Sequence, residues 1–233
     1  MAKKEHSPEQ IISSIKDLWL PLNEEQRKLL ASNLTLRKYK KNEFIYKEGD
    51  TPSHLMCLLS GKVKICKEGF GGRSQIIRVM KQGDYFGYRA HFSGTNRITS
   101  AAAFEPSVIC HVPLSILSKF IRENSEIAVF FLRQLAHGLS IADARAVNMT
   151  QKHIRGRLAE AILKLKTRYG FEEDGTTLNI NVSREDLANM SNMTTSNAIR
   201  TLSAFATEGI IGIEGKKIKL LDEDEILRIC HGG

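Results

Sequence analysis

The stretch from Ile116 to Met149 constrains the fold more than any other, because it predicts a helix longer than one small domain. Its apolar residues recur at intervals of three and four, the spacing that places side chains on one face of an α-helix. Such a helix would reach roughly 50 Å at about 1.5 Å per residue. The apolar stripe consists of Ile127, Phe131, Leu135, Leu139, Ala142, Ala146 and Met149.

A helix that extends beyond its own domain has to bury its stripe against another surface. The simplest solution is the same helix of a second copy of the chain, related by a two-fold axis. Packing of the whole stripe within one chain is the alternative. We therefore predict a long dimerisation helix and assign it to residues 115–149.

The chain before this helix changes from helical to β-type patterning. Helix-start signals at Ser7-Pro8 and Asn23-Glu24-Glu25-Gln26 predict short N-terminal helices within residues 1–33. In residues 34–114, short runs of β-branched and aromatic residues are separated by turn residues, which is typical of antiparallel strands. We expect a small β-roll, similar to a jelly roll. Its turns are marked by glycines at positions 49, 61, 69, 71, 72, 83, 87 and 94.

Residues 183–209 predict two short helices joined by a tight turn. Ser183 can cap the first helix, and Asn192 tolerates the left-handed conformation that a tight turn needs. Thr194 or Thr195 can then cap the second helix. This pattern is typical of a helix-turn-helix, with an ordinary helical hairpin as the alternative. The predicted apolar face of the second helix consists of Ala198, Ile199, Leu202, Phe205 and Ala206.

The outward side of the second helix carries short polar or basic side chains, and no acid occurs before Glu208. Such a surface can enter a DNA major groove, because its donors reach base edges and no carboxylate repels the phosphates. The predicted DNA-contacting residues are Thr194, Thr195, Ser196, Asn197 and Arg200, with Ser183 and Arg184 at the start of the preceding helix.

The segment after the second helix strengthens the DNA-binding hypothesis. Residues 210–221 predict a β-hairpin with Gly215 at its turn, so the helix-turn-helix is followed directly by a wing. Leu178, Ile180 and Val182 alternate as in a strand that leads into it. We assign a winged helix-turn-helix domain to residues 150–233 and place the whole chain in the α+β class.

Composition excludes several functions but does not by itself indicate DNA binding. The net charge of +8 arises in residues 1–149, which hold 22 Lys+Arg and 14 Asp+Glu, whereas residues 150–233 hold 12 of each. The four cysteines lack metal-binding spacing, and neither a catalytic constellation nor a P-loop occurs. Without a signal peptide or a run of about 18 apolar residues, we expect a cytoplasmic protein that is not an enzyme and does not enter a membrane.

The order of β-roll, long helix and winged helix-turn-helix resembles the CRP/FNR family of bacterial transcription regulators. The resemblance rests on residues 41–50, 59–65, 83–87 and 155–158. It implies a homodimer that binds an inverted-repeat DNA operator, contacts RNA polymerase and responds allosterically to a small effector in the β-roll. A ligand-binding or protein-interaction module of the same fold, without sequence-specific DNA binding, is the alternative.

The resemblance also indicates where the effector would bind and which effectors fit poorly. The implied effector residues are Gly87, Tyr88, Arg97, Ile98 and Thr99. Relatives that bind cyclic nucleotides carry Glu at the position of Tyr88 and Ser at that of Ile98, so the chain argues against cyclic AMP. An iron–sulfur cluster of the FNR kind needs N-terminal cysteines, and the first 56 residues contain none.

Two further points follow from the resemblance and stay open. Haem would need an axial ligand, for which the candidates are His54, His91 and His111, so the effector remains unidentified. Tyr85, Phe86, Tyr88 and Phe92 either line a pocket for an organic ligand or fill the core of the roll.

In the recognition helix, Thr195 and Ser196 replace the Arg and Glu of well-known members. Arg200 is retained and is the expected guanine contact.

Overall fold

A computed structural model describes residues 7–232. The ends of the predicted N-terminal and C-terminal domains, residues 1–6 and 233, lie outside the described residues. Backbone proximity divides the chain into two units, and helix 125–151 passes through the boundary between them. The first unit is Met1–Lys67 with Arg78–Ser140, and the second is Glu68–Ile77 with Ile141–Gly233.

Along the described chain, three short helices come before the first group of strands, and most of the second half is helical. The helices are α1 (Pro8–Ser14), α2 (Lys16–Trp19), α3 (Glu24–Asn33), α4 (Arg89–Ser93), α5 (Leu114–Glu123), α6 (Ser125–Gln151), α7 (Ile154–Tyr169), α8 (Arg184–Ser191), α9 (Thr195–Thr207) and α10 (Glu223–Gly232). The strands are β1 (Thr35–Tyr39), β2 (Phe44–Tyr46), β3 (His54–Ser60), β4 (Val63–Glu68), β5 (Ser74–Met80), β6 (Tyr85–Phe86), β7 (Ser100–Ala103), β8 (Ser107–Pro113), β9 (Ile211–Glu214) and β10 (Lys217–Leu220). Within residues 7–232, no helix is long and apolar enough to cross a membrane.

Strands β1 to β8 form the predicted antiparallel roll. One sheet has the order β1-β8-β3-β6 and the other the order β2-β7-β4-β5. The last strand, β8, lies between the first and the third, and it pairs antiparallel with both. In β4, Val63 and Ile65 are buried while Lys64 between them is not, as the alternating sequence predicts. The predicted β-roll is confirmed.

The interior of the first unit is rich in aromatic residues. Tyr85, Phe86 and Tyr88 are buried, and the Tyr88 ring lies 5.0 Å from the ring of Phe131 on α6. The ring of Tyr85 lies 5.5 Å from that of Phe130. These edge-to-face contacts fix α6 against the roll. Of the four aromatic residues predicted to line a pocket or fill the core, Tyr85, Phe86 and Tyr88 therefore fill the core, whereas Phe92 is 39% exposed.

The single helix expected over residues 115–149 is interrupted at Asn124, which is a correction. The backbone of Asn124 is extended, and its amide donates to the Phe120 carbonyl at the end of α5. Its side-chain oxygen accepts a hydrogen bond from the amide of Glu126, 3.0 Å away, and so caps α6. Asparagine is among the preferred N-cap residues, so this residue ends one helix and starts the next.

The predicted apolar stripe of α6 divides into a buried and an exposed part. Ile127 and Phe131 are buried in the core of the first unit, and Leu135 packs against that core. Leu139 is 64% exposed, and Ala142 and Ala146 are exposed as well. Intrachain packing therefore accounts for the beginning of the stripe and for Met149 at its end, which is half-buried with its sulfur 3.7 Å from Nε2 of Gln75, but not for Leu139, Ala142 and Ala146 between them.

The second unit contains a winged helix-turn-helix. Helix α7 contacts α8, α9 and α10, and β9 pairs antiparallel with β10 to form the predicted wing. Residues 178–182 do not form the strand that their alternation predicts. Leu178 and Val182 are buried, and each donates a single backbone hydrogen bond to the wing, at Ile218 and Lys216 respectively. The α+β class with a winged C-terminal domain is confirmed.

We expect Phe131→Ala to lower the free energy of unfolding by about 3–5 kcal/mol, since it removes a fully buried ring. Urea denaturation followed by circular dichroism would measure the change. Leu20→Ala is the control, because Leu20 is 68% exposed, and we expect a change of less than about 0.5 kcal/mol there. Equal destabilisation by both substitutions would contradict this description of the core.

Candidate nucleic-acid interface

The turn between α8 and α9 forms as the sequence predicts. The hydroxyl of Ser183 accepts from the Asp186 amide at 3.0 Å and donates to the Asp186 carboxylate at 2.6 Å. Asn192 adopts the left-handed conformation, with φ 50° and ψ 55°. Thr194 caps α9, because its hydroxyl accepts from the amide of Asn197 at 3.2 Å. Of the two threonines proposed as cap, Thr194 has that role.

The buried face of α9 is narrower than its apolar residues suggest. Ala198, Leu202 and Phe205 are buried, as expected. Ile199 is 46% exposed and Ala206 is exposed, so the predicted apolar face of α9 is only partly buried. The reason is geometric, since residues 198, 202 and 205 alone follow the narrow line that contacts the rest of the domain.

The exposed face of α9 is free of acidic side chains over its whole length. Thr195, Ser196 and Arg200 are exposed, and Ile199 lies on the same face between them. Asn197 is half-buried, and its side-chain oxygen accepts from Nη2 of Arg200 at 2.5 Å. Asn197 thus holds the Arg200 side chain. Sequence reasoning missed Ile199 as a surface residue, although its spacing of four from Thr195 places both on one face.

The end of α9 is held by a pair of opposite charges. Nη1 and Nη2 of Arg155 on α7 donate to the two carboxylate oxygens of Glu208, at 2.8 and 2.5 Å. The guanidinium carbon of Arg155 also lies 4.8 Å from the centre of the Phe205 ring. This pairing raises the pKa of Arg155 and lowers that of Glu208. Glu208, which follows the last residue of α9, is thereby paired, and its negative charge at the helix C-terminus is offset.

The wing supplies further positive charge beside the predicted site. Nη2 of Arg184 donates to the carbonyl of Gly215 at the wing turn, 3.0 Å away. Arg184 therefore connects the start of α8 to the wing. Lys216 is exposed at the tip of the wing, a residue that the sequence prediction of DNA contacts did not include. Ser183, whose hydroxyl is used by the cap, and Arg184 stay predicted DNA contacts.

The effector residues implied by the resemblance do not all lie together. Arg97 is buried, and its Nη1 donates to the Gly87 carbonyl at 2.9 Å. Gly87 has φ 84°, and a Cβ there would lie 2.6 Å from the sulfur of Met56. Tyr88 is buried beside Gly87, whereas Ile98 is 67% exposed. Thr99 is half-buried and lies near the Tyr46 phenol. These residues stay predictions for effector binding.

Each histidine considered as a haem ligand has one ring nitrogen next to a hydroxyl group. Nε2 of the buried His111 lies 3.1 Å from the Tyr39 hydroxyl, and Nε2 of His91 lies 2.7 Å from the Ser118 hydroxyl. Nδ1 of His54 lies 2.9 Å from the Ser53 hydroxyl. Among the described residues, no three His, Cys, Asp or Glu side chains are grouped to hold a metal ion.

Comparison with known proteins matches both parts of the chain to family models. A model of the cyclic nucleotide-binding domain matches residues 36–124. A model of the Crp-like helix-turn-helix domain matches residues 156–229. The two matches agree with the roll and with the winged domain described above.

Similar proteins share this arrangement over nearly their whole length. The CRP-like cAMP-activated global transcriptional regulator of Mycobacterium tuberculosis is 26% identical over 200 residues, covering 85% of this chain and 89% of that protein. The fumarate and nitrate reduction regulatory protein of Vibrio cholerae is 25% identical over 223 residues, covering 93% and 88%. The structure of FixK2 from Bradyrhizobium japonicum matches with a TM-score of 0.76 at 25% identity, covering 84% and 96%.

The buried His111 predicts a pH dependence of stability. Burial, together with the charges of Arg37, His54 and Arg97, lowers the pKa of His111 to about 4. Between about pH 6.5 and 4 the unfolded chain binds a proton at this residue that the folded chain does not, so stability falls as pH falls. We expect His111 to contribute a loss of about 3 kcal/mol between pH 7 and pH 4.

Urea denaturation at several pH values would measure this loss in the wild type and in His111→Gln. The variant should show a shallower decline below pH 6.5. The exposed His231, replaced by Gln, is the matched control and should follow the wild-type curve. A His111→Gln curve parallel to the wild type would contradict the assignment.

Proposed function

Because the chain belongs to the CRP/FNR family of DNA-binding transcription regulators, we propose that it binds an inverted-repeat operator as a homodimer. The observation that carries the proposal is the exposed, acid-free face of α9 next to a basic wing tip at Lys216. A cytoplasmic location follows from this role, because the operator lies on the chromosome. Contact with RNA polymerase at the promoter is part of the same proposal.

Helix α9 would read bases mainly through Arg200. A guanidinium group can donate two hydrogen bonds to the O6 and N7 atoms of guanine, and Asn197 holds Arg200 by its side-chain oxygen. Ile199, exposed beside Arg200, suits contact with a thymine methyl group. Thr195 and Ser196 are short and would contact bases or phosphates more weakly.

We expect Arg200→Ala to reduce discrimination at one base pair of each half-site by about 1–3 kcal/mol. Lys216→Ala should instead weaken binding to specific and scrambled DNA alike, because it removes a phosphate contact. Fluorescence anisotropy with an upstream inverted repeat and its single-base variants would measure both effects. Arg228→Ala is the control, since that side chain is 74% exposed on α10 and pairs with Glu225.

Two outcomes would reject sequence-specific regulation. Wild-type protein that binds operator and scrambled DNA with equal affinity, at every salt concentration and with every effector tested, would favour a protein-interaction module. Thermal stabilisation of the protein by small ligands but not by DNA would lead to the same conclusion.

An uncovered apolar seam on α6 supports the homodimer. Its positions follow one another at intervals of three, four, three, four and three, the heptad spacing of a two-stranded coiled coil. Leu132 and Leu139 are 63% and 64% exposed, and Val129 is 40% exposed. Asp143 is the one charged residue of the seam. The seam consists of Val129, Leu132, Ala136, Leu139, Asp143 and Ala146, all of them exposed.

We expect the double substitution Leu132→Glu with Leu139→Glu to produce a monomer, since it places charges at the centre of the seam. Operator affinity should fall by about 100-fold or more, because the two half-sites are then bound independently. Sedimentation velocity would measure the mass. Leu221→Glu, at a residue 58% exposed outside α6, should leave the dimer intact. A double variant that still sediments as a dimer would place the interface elsewhere.

The effector is proposed to act through the β-roll, and its identity differs from that of cyclic-AMP-activated relatives. The Mycobacterium tuberculosis relative is named as cAMP-activated. In this chain the buried Tyr88 and the exposed Ile98 stand where such regulators carry a carboxylate and a hydroxyl group. A ribose hydroxyl or cyclic phosphate would lose those partners, at about 1–3 kcal/mol for each unpaired buried group.

A further inference from the structure

Three arginines of the first unit lie near one phenol in the β-roll. Arg97 is 5% exposed, and its guanidinium carbon lies 4.0 Å from the centre of the Tyr46 ring. Burial raises the pKa of Tyr46, while a hydrogen bond with Thr99 and the charges of Arg97, Arg78 and Arg89 lower it. All three positive charges are therefore close enough to Tyr46 to act on the same hydroxyl group.

The protein leaves part of this positive charge without a partner. The Nε atoms of Arg78 and Arg89 are buried and have no hydrogen-bond partner. In the described part of the chain, none of the three arginines forms an ion pair with an acid within 4 Å. Asp84 and Asp50 act on Arg78 and Arg97 at longer range, and each accepts a backbone hydrogen bond from its own turn.

Charges that are removed from water are normally paired, whereas the buried Arg97 and the half-buried Arg78 and Arg89 all carry the same sign. Burial lowers the pKa of Arg78, and the neighbouring charge of Arg89 lowers it further. A guanidinium group nevertheless stays protonated at neutral pH, so the repulsion persists. Its planar fork of donors matches carboxylate and phosphate oxygens. An anion at this position would supply the missing partner.

We propose that Arg78, Arg89 and Arg97 bind a small anion that carries at least two negative charges on carboxylate or phosphate groups. The inference rests on the proposed function, since it names the chemical class of the effector in the β-roll. A cyclic mononucleotide has a single negative charge and would leave most of the cluster unpaired. A multiply charged ligand pairs two or three guanidinium groups at once.

The cluster also contacts the helix that carries the proposed dimer seam. Gly138 on α6 has no side chain, and a Cβ at that position would overlap Nη2 of Arg89 and lie 3.1 Å from its guanidinium carbon. The Arg89 guanidinium thus occupies the place of a side chain on α6. An anion that draws Arg89 towards Arg78 changes this contact, so ligand binding is transmitted to the dimerisation helix.

Isothermal titration calorimetry on the full chain tests the proposal with four probes. Pyrophosphate and glutarate carry several charges, whereas acetate and cyclic AMP carry one. We expect at least one multiply charged probe to bind tenfold or more tightly than both single-charge probes. If pyrophosphate binds more tightly than glutarate, the ligand carries phosphate groups, and the reverse order indicates carboxylate groups.

Substitutions then assign the binding to the cluster. Arg78→Gln and Arg89→Gln should each weaken binding of the preferred probe tenfold or more. Arg122→Gln, at an exposed position on α5, is the matched control and should leave the affinity unchanged. Without ligand, the two cluster variants should melt at the wild-type temperature or above, because a like-charge repulsion is removed.

Gly138→Ala provides a second test that loss of folding cannot explain. Alanine favours a helix over glycine, so the melting temperature should rise. Its methyl group displaces the Arg89 guanidinium, so affinity for the probe should fall threefold or more. Stability and ligand binding then change in opposite directions.

The inference fails if the wild type binds neither pyrophosphate nor glutarate, or if it binds cyclic AMP more tightly than both. It also fails if Arg122→Gln weakens binding as much as Arg78→Gln and Arg89→Gln do. A lower melting temperature of both cluster variants without ligand would contradict it as well. Operator binding is measured separately by anisotropy. If it persists while no probe binds, the inference fails and the DNA-binding function stands.

Discussion

Phe131 and Leu132 are neighbours in the sequence but lie on different faces of α6, about 100° apart around the helix axis, so one helix carries both a buried and an exposed apolar surface. Phe131 is buried against Tyr88 of the roll, whereas Leu132 belongs to the exposed seam. Because one helix carries both surfaces, a shift in the packing beneath Phe131 would also move the proposed dimer seam. An effector would then need no separate linkage to reach that seam.

In the DNA-binding domain, too, one structural feature has two effects, because a single ion pair offsets an unfavourable charge and fixes the end of a helix. Glu208 would place a negative charge near DNA and at the unfavourable end of α9. Arg155 pairs with both of its carboxylate oxygens and covers Phe205, so the charge is offset and the helix end is fixed. The net charge of the domain therefore says little about its partner. In the proposed complex, the positions of the exposed charges of Arg200 and Lys216 matter more than the net charge.

Patterns set by neighbours in the chain could be predicted from the sequence, whereas those set by distant contacts could not. The caps at Ser183 and Thr194 and the left-handed Asn192 depend on a few adjacent residues, and they formed as expected. The alternation at residues 178–182 did not yield a strand, because only single hydrogen bonds to the wing are available. The exposure of Ile199 depends on which line of α9 meets α7 and α8. The paired role of Asn197 and Arg200 depends on rotamers that no spacing specifies.

The proposed effector site also depends on contacts between distant residues that the sequence does not predict. Comparison with the family motif points to Tyr88 and Ile98, which stand in place of the groups that would hold a cyclic nucleotide. It does not point to Arg78 and Arg89, because these lie outside the motif and only folding brings them near Tyr46. The neutral Tyr88 provides no carboxylate to offset the positive charges of Arg78 and Arg89 near it, so the electrostatics of the proposed site favour a ligand with more negative charge.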